Sequence, residues 1–304
     1  MEEEILISPV DQRAIPLTGM SRRELRDLHY TEEIKMSKMI LDLPPFSMER
    51  KKLLNEGYAF VEALKLRYEP NVNGSFGSTP ASVKLVKDMI ELRKKAGEER
   101  QIVYEAGVGT GYALRSLIDL PGVEYHGCDV VLFPDVAAMS RRYKNLFLNE
   151  RTLYEDLQEM RDNSIDIFYA DNVIEHLVPD EADLIFKVLR RKMKRGGQLI
   201  LFIPNWHDGP HDVSMYYLKK GSRATGFHFM EMSYLETVRL VCKHGFKADY
   251  IVQSYKNIER DRFGVRNLKK IFMEQIISQI KNYCVRFQLM KNDSYNCYIF
   301  SRLF

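Results

Sequence analysis

The run Glu105-Ala106-Gly107-Val108-Gly109-Thr110-Gly111 constrains this chain more than any other segment. It sets glycine at every second position, directly after the apolar Ile102-Val103-Tyr104 and directly before a stretch that reads as a helix from Tyr112. Glycine is needed where a backbone turns tightly or must lie close to a ligand, so the run reads as a strand-to-helix turn under a bulky cofactor. The acid that precedes it would face a cationic part of that ligand. A dinucleotide turn of the form G-x-G-x-x-G is the obvious competitor, but Tyr112 stands where its third glycine belongs. A pyrophosphate would also be repelled by Glu105. A second acid, Asp129, ends the next apolar strand (Glu124 to Asp129), where a carboxylate can accept both ribose hydroxyls. The alternative for Asp129 is a cap on the following helix.

Around this turn, strands and helices alternate. Strands are expected at 102–105, 124–129, 164–169 and 198–203, with helices from Tyr112, around Pro134 to Phe147, and at Ala182 to Met193. Such alternation predicts a doubly wound, mostly parallel α/β sheet covered on both faces. Two further strands, Lys247 to Gln253 and Tyr295 to Ser301, follow a helix near Met232 to His244. A helical insertion over 256–292 is read from the apolar spacing of Phe272, Ile276, Ile280, Tyr283, Cys284 and Phe287. Upstream, Ser21 to Arg67 carries helical spacing broken at Pro44-Pro45, which gives two helices, and Asn71 to Pro80 is rich in turn formers. Residues 1–78 are therefore expected to form an N-terminal helical cap, and 79–304 the main cofactor-binding domain.

Several further segments fall in the order found in class I S-adenosylmethionine-dependent methyltransferases. They are Asp162-Asn163-Ser164-Ile165-Asp166-Ile167-Phe168, then Asp171-Asn172-Val173-Ile174-Glu175-His176-Leu177, then Leu189 to Ile200 with its Gly196-Gly197 turn. With the glycine run and Asp129, the chain resembles that family, in its type 11-like small-molecule or glycan branch. The resemblance implies a seven-stranded Rossmann-like sheet with S-adenosyl-L-methionine as cofactor. It also implies site residues: Glu105, Gly107, Gly109 and Gly111 on the methionine side, Asp129 on the ribose, Asn172 and Val173 lining the methionine pocket, and Asp156 or its neighbour Glu155 near the adenine. After the expected strand at 198–203 there is no D/N-P-P-Y/F sequence, so nothing favours methylation of a nucleic-acid base.

Composition narrows the partners. Lys plus Arg number 45 against 42 Asp plus Glu, and a net charge of +3 is too small for a general nucleic-acid binder. The four cysteines are scattered without a C-x-x-C pair, which fits a reducing, cytoplasmic setting. No apolar run is long enough for a membrane span, although the basic stretch Arg260 to Lys270 and the helix after it could rest on a membrane surface.

Methyl transfer to a hydroxyl gains from a base, and three of the seven histidines fall between 207 and 228. His207, His211 and His228, on loops beyond the 198–203 strand, are the catalytic candidates. His207, Asp208, His211, Asp212 and His228 lack a helical H-x-x-x-H spacing, and no metal is expected. The motifs Gly209-Pro210-His211-Asp212-Val213-Ser214, Gly226-Phe227-His228 and Glu231-Met232-Ser233-Tyr234 resemble methyltransferases of surface-glycan and polysaccharide synthesis. O-methylation of a small-molecule or glycan acceptor is the expected function. A protein or lipid-linked acceptor, or a non-catalytic cofactor-binding scaffold, are the alternatives.

Overall fold

The computed structural model describes residues 4–70, 78–253, 259–262 and 295–302. A short hairpin, β1 (Ile5–Ile7) with β2 (Ala14–Pro16), precedes two long helices, α1 (Arg22–Asp42) and α2 (Met48–Tyr68). Ser21 starts α1 through a reciprocal cap, its hydroxyl accepting from Glu24 N–H while the Glu24 carboxylate accepts from Ser21 N–H at 2.8 Å. The helix stops at Leu43 because a residue before proline is driven into the extended region. α1 and α2 pack around Met36, Ile40, Phe60 and Leu64, and two residues from further along the chain, Val178 and Phe227, complete that core.

α3 (Pro80–Lys95) begins on a Thr79 cap with proline at its first turn. The α/β alternation then runs β3 (Gln101–Ala106), α4 (Tyr112–Leu117), β4 (Val123–Asp129), α5 (Pro134–Met139), β5 (Leu146–Glu150), α6 (Leu153–Glu159), β6 (Ile165–Asp171), α7 (Pro179–Lys192) and β7 (Met193–Pro204). α8 (Tyr234–Lys243), β8 (Phe246–Gln253), β9 (Glu259–Arg262) and β10 (Tyr295–Arg302) follow. One sheet takes the order β5-β4-β3-β6-β7-β10-β8-β9. Its first five strands are parallel, and β10 is antiparallel to both β7 and β8. Strand faces alternate between two cores: Val103, Ile167 and Tyr169 pack beneath α3 and α4, and Tyr104, Phe168 and Ala170 beneath α6 and α7.

One expectation is corrected. The helix from Pro134 ends at Met139 rather than Phe147, because Leu146–Glu150 pairs with β4 as the edge strand β5. Among the described residues the sheet takes the seven expected strands and adds β9, which pairs with β8 inside the segment expected to be a helical insertion. The helix expected over Phe272 to Phe287 lies outside the described residues. Among the described residues, no helix is long and apolar enough to cross a membrane.

Candidate active site

Strand order reverses between β3 and β6, and in a doubly wound sheet ligands enter the crevice beyond the carboxyl ends of the strands at that reversal. The glycine turn leaves β3 there, and Asp171, Asn172 and Val173 leave β6 beside it. Gly107, Gly109 and Gly111 all have positive φ (71°, 51° and 73°). At Gly107 the requirement is also steric, because a Cβ would run into Val173 Cγ2. Two candidate cofactor residues from different strands are thus in contact. Asn172 itself adopts φ 55°, and its N–H bonds the Phe202 carbonyl at 3.1 Å, fixing the bend out of β6.

Glu105 is fully buried, on the α3 side of the sheet. Its carboxylate accepts from Ser78 Oγ at 2.8 Å and from the Tyr125 hydroxyl. Burial dominates and pushes its pKa up to about 8, against the two hydrogen bonds, with Asp171 and Asp129 adding repulsion. A cation arriving at this carboxylate would be met by a group ready to give up a proton. Asp129 turns one oxygen to Gly109 N–H at 2.8 Å and the other to Val131 N–H at 3.4 Å, so it braces the glycine turn. Burial also raises the Asp129 pKa.

Asp156 sits inside the core rather than at the crevice. It is 2% exposed, bonded by the Tyr104 hydroxyl at 2.6 Å and by Asn149 Nδ2 at 2.7 Å. Tyr104 points to the opposite face of β3 from Glu105. At the carboxyl end of β5, the acid on the crevice side is Glu150, which accepts from Leu132 N–H at 3.0 Å. Neighbouring Glu155 caps α6 and pairs with Lys51.

A second cluster forms where the turn after β6 meets the loop before α8. Met230 N–H bonds the Glu175 carbonyl at 2.9 Å, which pins that loop to the turn Ile174–His176. His176 and His228 meet edge to face with ring centroids 4.6 Å apart. His228 Nδ1 donates to Glu231 Oε1 at 2.8 Å, and the same oxygen accepts His211 N–H at 2.7 Å, with His211 Nδ1 at 3.4 Å from Oε2. Burial opposes charge on both partners, yet the pair wins: Glu231 is held at about 2 and His228 is raised. Burial drives His176 the other way, down to about 3, and lifts Glu175 to about 8.

Of the three candidate histidines, His211 and His228 therefore converge on Glu231. The His207 ring lies tilted against Trp206, with centroids 3.8 Å apart, and its backbone N–H donates to Asn205 Oδ1. Asp212 spends its carboxylate on Ser214 and on Gly226 N–H. The residues that the spacing of histidines did not single out are Glu175, Glu231 and the supporting Tyr58. The signal for the first was present, since Glu175-His176 follows Asn172-Val173 with only Ile174 between. A separate cavity of about 380 Å³, lined by Arg100, Gln101, Asp166 and Lys194, opens at the amino ends of the strands and meets none of these groups.

Residues 104–201 match the family described as a methyltransferase domain. No curated protein matches the chain by sequence. Among solved structures, similar folds include the Burkholderia thailandensis 1,6-didemethyltoxoflavin-N1-methyltransferase, with bound 1,6-didemethyltoxoflavin and S-adenosylhomocysteine. It is 12% identical with a TM-score of 0.52, over 86% of this chain and 93% of that one. The CurJ carbon methyltransferase is 11% identical with a TM-score of 0.51, over 96% of this chain and 74% of that one. With the glycine turn, the two strand-end acids and the five parallel strands in the observed order, this chain carries a class I S-adenosylmethionine-dependent methyltransferase domain.

Proposed function

We propose that the chain transfers the methyl group of S-adenosylmethionine to a hydroxyl oxygen of a small-molecule or sugar acceptor. Fold alone does not select the acceptor atom: the two similar structures are named for transfer to a ring nitrogen and to carbon. The observation that carries the proposal is the His228–Glu231 pair, on a loop bonded to the turn that follows Asn172 and Val173. A carboxylate accepts only, so Nδ1 of His228 is the protonated nitrogen, and Nε2 is the one that would face a hydroxyl proton.

The remaining roles follow from chemistry. Glu105 and the glycine turn take the cationic methionine end, Asp129 the ribose hydroxyls, and Asn172 and Val173 wall the pocket. The sulfonium supplies a good leaving group, so the protein chiefly aligns the acceptor oxygen with the methyl carbon and takes its proton. Calorimetry with S-adenosylmethionine and, separately, NAD tests the cofactor assignment: methyl-donor binding alone is expected, and binding of NAD alone would overturn it. An acceptor screen led by sugars tests the rest. On the acceptor found, His228→Ala is expected to lower kcat by about 100-fold or more, the usual contribution of a positioned base. Wild-type turnover in that variant would move the base elsewhere.

A further inference from the structure

Glu175, His176 and His228 each offer a ligand atom within 4.8 Å of the others. Two imidazoles and a carboxylate suit Zn²⁺, Mn²⁺, Fe²⁺ and related ions. Proximity alone would be weak, but the surrounding bonds are those that a metal site needs. Metal-bound histidines almost always give their second ring nitrogen to a carboxylate or a carbonyl, which fixes the tautomer. His228 gives Nδ1 to Glu231, and His176 Nδ1 lies 3.2 Å from the Phe227 carbonyl and 3.1 Å from the Tyr58 hydroxyl. A carbonyl cannot donate, so Nδ1 of His176 carries the hydrogen and its Nε2 lone pair is left for a ligand. Among the described residues, nothing hydrogen-bonds either Nε2.

The third member adds an independent observation. Glu175 is 1% exposed, and its Oε2 is buried without a hydrogen-bond partner. An orphaned carboxylate oxygen inside a protein is costly unless a ligand answers it. Donors at about 2.1 Å from one tetrahedral ion stand about 3.4 Å apart, so ligand atoms within 4.8 Å of one another close on a cation with a movement of roughly an ångström.

We infer that Glu175, His176 and His228 form a divalent transition-metal site whose open positions take the oxygen of the methyl acceptor. This set shares only His228 with the His207, Asp208, His211, Asp212 and His228 group that the sequence offers, because a loop and a strand-end turn supply it together. The inference rests on the reading of this cluster as the acceptor side. With an ion bound, Nε2 of His228 is a ligand rather than a base, and the metal lowers the pKa of the coordinated hydroxyl. The acceptor proton then leaves to solvent, the oxygen forms its bond to the methyl carbon, and the S–CH3 electrons pass to sulfur.

Co²⁺ is the probe, titrated into the chelator-stripped full chain and followed by its visible d–d bands and by calorimetry. One equivalent is expected to bind. His228→Ala and the isosteric Glu175→Gln should each abolish the bands, with metal-free melting temperatures checked against wild type. Glu231→Gln, which of the three proposed ligands touches His228 and only at its far nitrogen, should weaken affinity by about 10–100-fold. His244→Gln, whose ring pairs with Asp183 on α7, should leave the spectrum unchanged. Absence of Co²⁺ bands in the wild type, or bands that survive both ligand variants, would overturn the site. If no metal binds while His228→Ala still loses transfer, the metal inference fails and the base reading stands. If metal binds but no hydroxyl acceptor is methylated, the metal site stands and the hydroxyl-acceptor reading, with the acceptor oxygen on the ion, fails.

Discussion

At the scale of single residues, Glu105 sets a measurable consequence. Its folded pKa of about 8 lies above the ordinary carboxylate range, so between that range and about pH 8 the folded chain holds more protons than the unfolded one. By linkage its contribution to stability falls as pH rises through that window. A cation bound beside it reverses the preference. Cofactor binding near pH 7 is therefore expected to release close to one proton, read as a difference in calorimetric heat between phosphate and Tris buffers. Glu105→Gln should remove that difference. Equal heats in the two buffers for the wild type would mean that Glu105 is not the group meeting the cationic end. Gly107 shows how much of this was legible: the glycine spacing announced a tight turn, whereas the contact that forbids a side chain there comes from Val173, in the turn beyond β6.

Among elements, legibility tracked how much of each was buried on a regular period. β3, β6 and the second half of β7 carry mostly apolar, buried residues because both faces are covered, and β4 alternates buried with half-buried positions, so all four were readable. β5 was missed since it is five residues long at a sheet edge, with Phe147 45% exposed, and it follows a proline-started helix closely. The paired histidines escaped for a different reason. Glu175 and His228 are 53 positions apart, and it is the folded chain, through Met230 N–H on the Glu175 carbonyl and His176 Nδ1 on the Phe227 carbonyl, that joins their segments. One buried cation ties α2 to the start of α7, beside the Val178 contact and the Phe46 N–H bond to Glu181. The Arg50 side chain is 1% exposed and pairs with Asp180 at 2.8 Å and Glu181 at 3.0 Å. Removing one member of a buried pair costs about 3–5 kcal/mol, and the 44% exposure of Asp180 brings the expectation to about 2–3 kcal/mol for Arg50→Ala. Urea unfolding would measure it, and a loss below about 0.5 kcal/mol, the scale of an unremarkable surface change, would show that the pair does not hold the helices in place.

Over the whole molecule, the two halves of the site depend on different parts of the chain. The glycine turn, Asp129, Asn172 and Val173 are held by the parallel sheet, whereas the loop bearing His228 also leans on α1 and α2. Glu33 of α1 makes that link. Its Oε1 accepts Phe227 N–H at 2.6 Å, its Oε2 meets His29 Nε2 at 2.5 Å, and His29 Nδ1 reaches the Tyr68 hydroxyl of α2 at 2.7 Å. Gly226 has no room for a side chain because the Glu33 and Asp212 carboxylates crowd it. Phe227 then inserts into the helical core, and its carbonyl orients His176. A change at Glu33 should consequently reach the acceptor side without touching the cofactor side. Glu33→Ala is expected to raise the acceptor KM or lower kcat severalfold while the S-adenosylmethionine Kd stays within about twofold, since among the described residues Glu33 bonds His29 and Phe227 rather than the cofactor half, and distant sites act independently. Equal losses in cofactor and acceptor binding would instead mean that the helices support the sheet edge as a whole.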